Sequence, residues 1–292
     1  MSRRVLLTGA SGFVGRAVLP ALRAAGCEVV PLARSAGPAF VICDLEDPEA
    51  TRRIVRETVP TDVVHLAGGT APTSEQLYLR NVLTTVHVLE ASAELSQPPR
   101  CVVLGSAAEY GETEGELTEE SAPLRPVTDY GRAKAAQSEL ARAIAASRGL
   151  PLTILRPFNL VARELSEATA LGRMRSELLA ASGPERRLRC GRLDVVRDFV
   201  PLSTLVSALV RLCTGVAPGG TVNVCSGVGI PLSAVLEAMA SRLGAVVRVE
   251  EDPELCRIPS ARRVVGDPAR LRSLIGDLEP VSPQSLAALM VG

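Results

Sequence analysis

The sequence predicts an α/β protein, a Rossmann-type doubly wound parallel sheet joined to a smaller mixed α/β C-terminal lobe. Three observations carry this expectation. Short aliphatic and β-branched runs alternate with alanine-rich helical stretches through the first half of the chain, as in a sheet covered on both faces. The first run enters Gly9-Ala-Ser-Gly12-Phe-Val-Gly15 and then a helix, the setting in which glycines let a backbone approach a pyrophosphate. The chemically able residues fall at the ends of these runs, where open α/β sheets bind ligands.

Val5-Leu-Leu-Thr8 reads as a buried parallel strand, and the helix after the glycine turn stops at Gly26. Cys27 to Ala33 is the second strand. Arg34 follows it with no carboxylate beside it, where an acidic residue would hold the adenosine ribose of NAD or an arginine the 2′-phosphate of NADP, so NADP(H) is favoured over NAD(H). Val41-Ile-Cys-Asp44-Leu45 is a third short strand. Asp62-Val-Val-His65-Leu-Ala-Gly68-Gly69 is a fourth, ending in small residues that admit a ligand. From Ser74 to about Ser96 the apolar residues Leu77, Val82, Val86 and Leu89 recur at helical spacing, with Asn81 inside. Pro98-Pro99 then breaks to the strand Arg100–Leu104, which ends in Gly105-Ser106-Ala-Ala-Glu109-Tyr110-Gly111 before an acidic loop from Glu112 to Pro126.

The next helix begins with Tyr130-Gly-Arg-Ala-Lys134, which holds the only lysine among 32 basic side chains. Residues i and i+4 share a helix face, so the ammonium is expected beneath the phenol. There it would stabilise phenolate and lower a pKa that begins near ~10, as proton transfer near neutrality requires. His65 and His87 read as core residues, and two histidines without ligand spacing predict no metal site.

Leu152–Leu155 is another strand. Beyond it come Arg156-Pro-Phe-Asn159 and a region of mixed helix and loop with arginines at 173, 175, 186, 187, 189, 192 and 197, a local surplus that could face a nucleotide diphosphate. Ser203–Cys213 and Pro231–Leu243 read as helices, and Thr221–Val224, Val246–Glu250 and Arg263–Val265 as strands. A last helix is expected with Asp267 as N-cap and Pro268 at its first position. The expected division is 1–157 for dinucleotide and catalytic residues and 158–292 mainly for substrate, with room for a strand and a helix to return to the first lobe.

Composition narrows the function. A formal charge of zero and 2% aromatic residues with no tryptophan argue against nucleic acid and anionic membranes. Seven scattered cysteines without a C-x-x-C pair read as free buried thiols in a reducing compartment. The apolar stretch after Met-Ser-Arg-Arg is cut by glycines and reaches neither signal-peptide nor membrane-span character, so a cytoplasmic protein is expected.

Taken together, Thr8-Gly-Ala-Ser-Gly-Phe-Val-Gly15, Asp44-Leu45, His65-Leu-Ala-Gly68, Asn81, Ser106 before Tyr110-Gly111, Tyr130 with Lys134, Arg156-Pro-Phe-Asn159, Arg197-Asp-Phe199 and Asn223-Val-Cys-Ser-Gly227 resemble the extended short-chain dehydrogenase/reductase family of nucleotide-sugar epimerases, dehydratases and reductases. The resemblance implies catalytic roles for Ser106, Tyr130, Lys134 and Asn81. It implies a nicotinamide cofactor held by Gly9, Ser11, Gly12, Phe13, Gly15, Arg34, Asp44, Leu45, Leu66, Ala67, Gly68, Tyr130 and Lys134. Substrate contacts are implied at Ser106, Ala107, Glu109, Asn159, Arg192 and Arg197, and a homodimer through the helices carrying Asn81 and Tyr130. Dehydratases of the family carry acids directly after the catalytic serine or threonine, where this chain has Ala107 and Ala108. Gly105–Gly111, Tyr130–Gln137 and Gly191–Phe199 are most similar to GDP-4-keto-6-deoxy-mannose reductases. Leu160-Val-Ala-Arg163, in place of a Gly-Pro loop, and Ala261, in place of an aspartate, depart from that group. The implied reaction is NADPH-dependent reduction of a nucleotide-linked 4-keto-6-deoxyhexose. The alternative is an epimerase that keeps NAD(P) tightly bound.

Overall fold

The computed structural model describes residues 3–292 except 36, 38, 114, 168 and 258. Met1 and Ser2 of the opening stretch and Glu114 of the acidic loop therefore lie outside the described residues. The first part of the chain runs β1 (Arg4–Thr8), α1 (Phe13–Ala24), β2 (Glu28–Ala33), β3 (Val41–Ile42), α2 (Pro48–Thr58), β4 (Asp62–His65), α3 (Ser74–Tyr78), α4 (Thr84–Ala93), β5 (Arg100–Leu104), α5 (Asp129–Arg148) and β6 (Leu152–Pro157). The second runs β7 (Asn159–Val161), α6 (Ala170–Ala180), β8 (Glu185–Cys190), β9 (Val196–Pro201), α7 (Leu202–Thr214), β10 (Gly220–Val224), β11 (Gly229–Pro231), α8 (Leu232–Arg242), β12 (Val246–Glu251), α9 (Pro253–Cys256), β13 (Arg263–Val264), α10 (Ala269–Ile275) and α11 (Pro283–Val291).

Seven parallel strands form the main sheet in the order β10-β6-β5-β4-β1-β2-β3. The chain winds outward from β1 through β2 and β3, then returns to β4 and winds the other way, so a crevice opens where β1 and β4 part. Alternation across the pleat explains why β1 is apolar throughout. Val5 and Leu7 pack with α1 and α7, whereas Leu6 packs with α2, α4 and α5 on the other face. Helix ends match their sequence signals. Asp47 Oδ1 accepts the amides of Glu49 and Ala50 ahead of Pro48, Thr128 caps α5 by accepting from Gly131, and Gly149 at φ +69° ends that helix.

The helix expected over 74–96 is interrupted by a π-turn, Leu79–Leu83, between α3 and α4. The Asn81 side chain accounts for it. Its amide donates to the carbonyls of Leu77 and Gly69, at 2.8 and 2.9 Å, and its oxygen accepts the Gly69 amide at 2.9 Å. A side chain that takes a helix carbonyl widens the local ladder. The helix expected to be last is α10, which is followed by the unforeseen α11, and its cap lies one residue later than expected. Pro268 is the N-cap, although Asp267 Oδ1 still accepts the Ala269 amide at 2.9 Å.

The region expected as mixed helix and loop contains strands. β11, β9 and β13 form one small sheet with β7 on β9, and β8 pairs with β12 in another. All seven cysteine thiols are free and six are buried, with Cys256 half-buried. Among the described residues no helix is long and apolar enough to cross a membrane.

β10 returns to the main sheet and pairs with β6 from Gly220↔Thr153 to Val224↔Pro157. A buried polar cluster fastens this seam. The fully buried Tyr110 hydroxyl donates to Asn223 Oδ1 at 2.7 Å and accepts from Arg156 Nη1 at 2.9 Å, while Asn223 Nδ2 donates to the Thr118 carbonyl at 2.9 Å. Removing one member leaves a buried donor and acceptor without partners. Tyr110→Phe is therefore expected to destabilise the fold by about 1–3 kcal/mol, measured by urea denaturation.

Candidate active site

A cavity of about 730 Å³ lies against the C-terminal edge of the main sheet and extends into the second lobe. At one end is the glycine turn. Gly9 sits at φ +66°, and a Cβ on Gly15 would come within 2.2 Å of the Gly9 carbonyl oxygen. Only glycine at 15 lets α1 begin this close to β1. The N-cap of α1 is Gly12, which has no side chain to cover the first-turn amides. Gly9, Gly12, Phe13 and Gly15 line the cavity with Leu66, Gly68 and Gly69 from the end of β4. Free helix amides, a favourable dipole and an unencumbered backbone fit a dinucleotide pyrophosphate.

Ser106, Tyr130 and Lys134 meet in the middle of this wall. Ser106 leaves β5 and caps a single 3₁₀ turn, Ala107–Glu109, its Oγ accepting the Ala108 amide at 3.1 Å. α5 begins directly on that turn, because a Cβ at Gly131 would stand 2.4 Å from the Ala108 oxygen. This contact sets the Tyr130 phenol beside the Ser106 side chain in the cavity wall. Lys134, 4% exposed, donates from Nζ to the Leu104 carbonyl.

The electrostatics differ from the expected lowering of the Tyr130 pKa by Lys134. Burial dominates and pushes the phenol up to about 12, against the hydrogen bond from Ser106, with the Glu109 charge adding to the rise. The ammonium is turned toward Leu104. Burial also brings Lys134 down to about 8, opposed by the negative charge of Glu109. Near neutrality the phenol thus carries a proton to donate, beside a charged ammonium.

Seven of the residues expected to hold ligands or take part in the reaction, Ser11, Arg34, Asp44, Leu45, Ala67, Asn81 and Glu109, are not in the cavity lining. Asn81, fully buried, spends its amide on Gly69 and Leu77, and so shapes the Gly68–Gly69 turn from behind. Glu109, also fully buried, folds back beneath Ser106. Its Oε1 accepts the Ser106 amide at 2.8 Å and its Oε2 accepts Arg156 Nε at 2.8 Å. Arg34 stands exposed just past β2, and Asp44 is exposed past β3 with Oδ1 on the Glu46 amide. Leu45 is buried and its carbonyl bonds His87, while Ser11 is exposed in the glycine turn and Ala67 donates its amide to Thr8 Oγ1.

In the second lobe Asn159, Arg173, Arg192 and Arg197 line the cavity. Asn159 Nδ2 donates to the Asp198 carbonyl at 2.9 Å. Arg192 forms a fork with Asp194 at 3.0 and 2.7 Å, and Arg197 is held by the carbonyls of Val196 and Ala261 and by Ser260 Oγ. Of the other arginines in the surplus, Arg175 and Arg186 bond main-chain carbonyls, and Arg187 and Arg189 pair with Glu250 and Asp252. Arg173, half-buried on the first turn of α6, has no ion pair and no side-chain hydrogen bond among the described residues. Charge counting along the sequence could not single it out, since the partners of its neighbours lie far away in the chain.

The profile of the NAD dependent epimerase/dehydratase family matches residues 5–225, and the chain belongs to that family. It is 35% identical, over 86% of its length and 82% of the relative's, to a dTDP-6-deoxy-L-talose 4-dehydrogenase (NAD(P)(+)) of Kitasatospora kifunensis. It is 29% identical, over 99% and 97% of the two chains, to a GDP-6-deoxy-D-mannose reductase of Pseudomonas aeruginosa. The solved structure of RMD from Pseudomonas aeruginosa complexed with NADPH superposes with a TM-score of 0.80 at 25% identity, covering 99% of this chain and 96% of that one.

His65, behind the site, carries a consequence for stability. Thr8 Oγ1 accepts the Ala67 amide and lies 2.9 Å from His65 Nδ1, so the hydroxyl proton goes to Nδ1 and the ring proton to Nε2, which has no partner among the described residues. Burial, with the Lys134 charge adding to it, lowers this histidine to about 3. The folded state keeps the ring neutral while the unfolded chain takes up a proton below its ordinary pKa of ~6.5, so stability is lost as pH falls from there toward 3 by up to about 1.4 kcal/mol per unit. The measurement is unfolding free energy between about pH 6 and 4, where His65→Asn should give a shallower slope than wild type.

Proposed function

We propose that this protein reduces the keto group of a nucleotide-diphosphate-linked 4-keto-6-deoxyhexose with NADPH. The observation that carries the reading is the arrangement of Ser106, Tyr130 and Lys134 between the glycine turn and the second-lobe cavity, with Ala107 and Ala108 where a dehydrating acid would stand. When bound, the cofactor supplies the hydride. Tyr130, protonated at neutral pH, delivers a proton to the oxygen on which negative charge develops, and Ser106 hydrogen-bonds that same oxygen. The Lys134 ammonium stabilises the phenolate left behind and would also hold the nicotinamide ribose. Arg34 at the exposed end of β2 supports NADPH over NADH, since a guanidinium matches a 2′-phosphate. Relatives that act on dTDP- and GDP-linked 6-deoxyhexoses support the substrate class. Arg173 is the cavity arginine open to the substrate diphosphate, with Arg197 and Asn159 beside it.

The deciding experiment is NADPH oxidation with GDP- and dTDP-linked 4-keto-6-deoxyhexoses, with NADH in parallel. Turnover with one member supports the reading, whereas no net oxidation alongside tightly bound NAD(P) would replace it with epimerisation. In that assay Tyr130→Phe should lose at least about 10²-fold in kcat while NADPH binding, followed by fluorescence titration, stays within about 3-fold. Arg173→Ala should raise KM for the nucleotide sugar by about 10-fold or more with kcat largely kept, because it removes a contact equal in ground and transition states.

A further inference from the structure

Glu109 is fully buried and absent from the lining of the active-site cavity, and nevertheless bonds directly to the wall that carries Ser106. Its Oε1 accepts the Ser106 amide, completing a capping box with the Ser106 hydroxyl. Its Oε2 is held by Arg156 Nε from β6, an ion pair in which both side chains are at most 1% exposed. Space is reserved for it, since a Cβ on Gly105 would come within 2.5 Å of Glu109 Oε1. The charged and titratable groups around it are Arg156 from β6, Tyr110 on its own turn, Glu120 beyond Tyr110, and Tyr130 and Lys134 from α5. Lys134 is faced in turn by the neutral His65 from β4.

We propose that Glu109 is a positioning residue for the reaction: one carboxylate oxygen fixes the Ser106 backbone, and Arg156 locks its negative charge behind the wall where Lys134 bonds the Leu104 carbonyl. A glutamine could accept from the Ser106 amide equally well. It could not balance the lysine. Burial alone drives Lys134 toward the neutral amine, and the Glu109 carboxylate is the opposing influence, so losing that charge moves the lysine proton to lower pH. Arg156 is needed to hold the carboxylate under Ser106 and to satisfy its second oxygen.

The inference rests on the proposed reaction for its kinetic readout but has a second readout independent of it. Lys134 is the only lysine, so lysine labelled with ¹³C at Cε gives one side-chain NMR signal whose titration reports this site alone. In wild type that signal should titrate near the lowered value of about 8. In Glu109→Gln it should titrate lower by about one unit or more, and the basic limb of the kcat pH profile should move the same way. At the optimum kcat should fall by about 10- to 100-fold while KM changes by less than about 3-fold. Because Glu109→Gln leaves Arg156 buried without a partner, E109Q/R156M provides a second variant that carries neither charge and keeps the volume. It should show the same downward shift of the lysine signal. An unshifted lysine titration in either folded variant, or a rate loss with an unmoved pH profile, overturns the proposal and leaves Glu109 a purely structural cap. Absence of turnover in wild type would instead refute the reaction, and the lysine titration would still test the role of Glu109.

Discussion

The buried ion pair between Glu109 and Arg156 is the constraint on which the rest of the site depends. Two opposite charges removed from water are tolerable only when every remaining donor and acceptor is matched, and breaking such a pair by removing one partner costs about 3–5 kcal/mol. Here the matching is extensive. Arg156 reaches the Tyr110 hydroxyl and lies over its ring at 4.7 Å, Tyr110 reaches Asn223, and Asn223 reaches the Thr118 carbonyl. Thr118 bonds Val265 and Asp267 on either side of Gly266, whose amide donates to Asp198. Asp198 also takes the Ser226 and Gly227 amides, and its carbonyl holds Asn159. One connected run of buried polar groups therefore extends from the serine at the end of β5 to the second-lobe wall, fixing the two walls of the cavity against each other.

This arrangement also settles how charge is distributed. Arg156 pins the Glu109 carboxylate in place, and the negative charge of that carboxylate supports the Lys134 ammonium beneath a phenol that retains its proton. A site of this kind favours a ligand in which negative charge builds during the reaction over one that arrives already charged at the reacting atom. Under the proposed reaction, the permanent charge of a diphosphate would be met elsewhere, in the second lobe, where Arg173, Arg192 and Arg197 line the cavity. Such a separation would keep Tyr130 and Lys134 from being neutralised by the phosphates of that substrate.

Much of the first lobe was legible in the sequence because its strands are buried on both faces and read as uninterrupted aliphatic runs, as in Val5–Leu7 and Cys101–Val103. The second lobe was harder to read. β8 is Glu-Arg-Arg-Leu-Arg-Cys and buries only Leu188 and Cys190 fully, so a strand with one covered face looks like a basic loop, and β7 and β11 have only three residues each. At the site, Gly9 to Gly15, Ser106, Tyr130 and Lys134 were legible because turn, strand end and i, i+4 spacing specify where side chains go. The direction of Glu109 was not, because a single 3₁₀ turn swings it from the cavity to the core. The setting of Asn81 was not legible for a similar reason, since a helical pattern does not disclose that a side chain will take the place of a backbone partner. Arg173 emerged only by subtraction, once its neighbours' partners were known.

β10 belongs to the main sheet although 62 residues separate it from the end of β6 at residue 157. During synthesis the first lobe emerges without its outermost strand, and α1 without α7, whose Leu205, Leu209 and Leu212 share its core cluster. Until about residue 224 has left the ribosome, β6 is an unpaired edge of exposed amides and carbonyls, the type of surface that recruits stray strands. The first lobe is thus no autonomous folding unit. A chain cut at the apparent lobe boundary would present both an open sheet edge and a bare apolar helix face, and the seam that joins the lobes is also what allows the first of them to be completed.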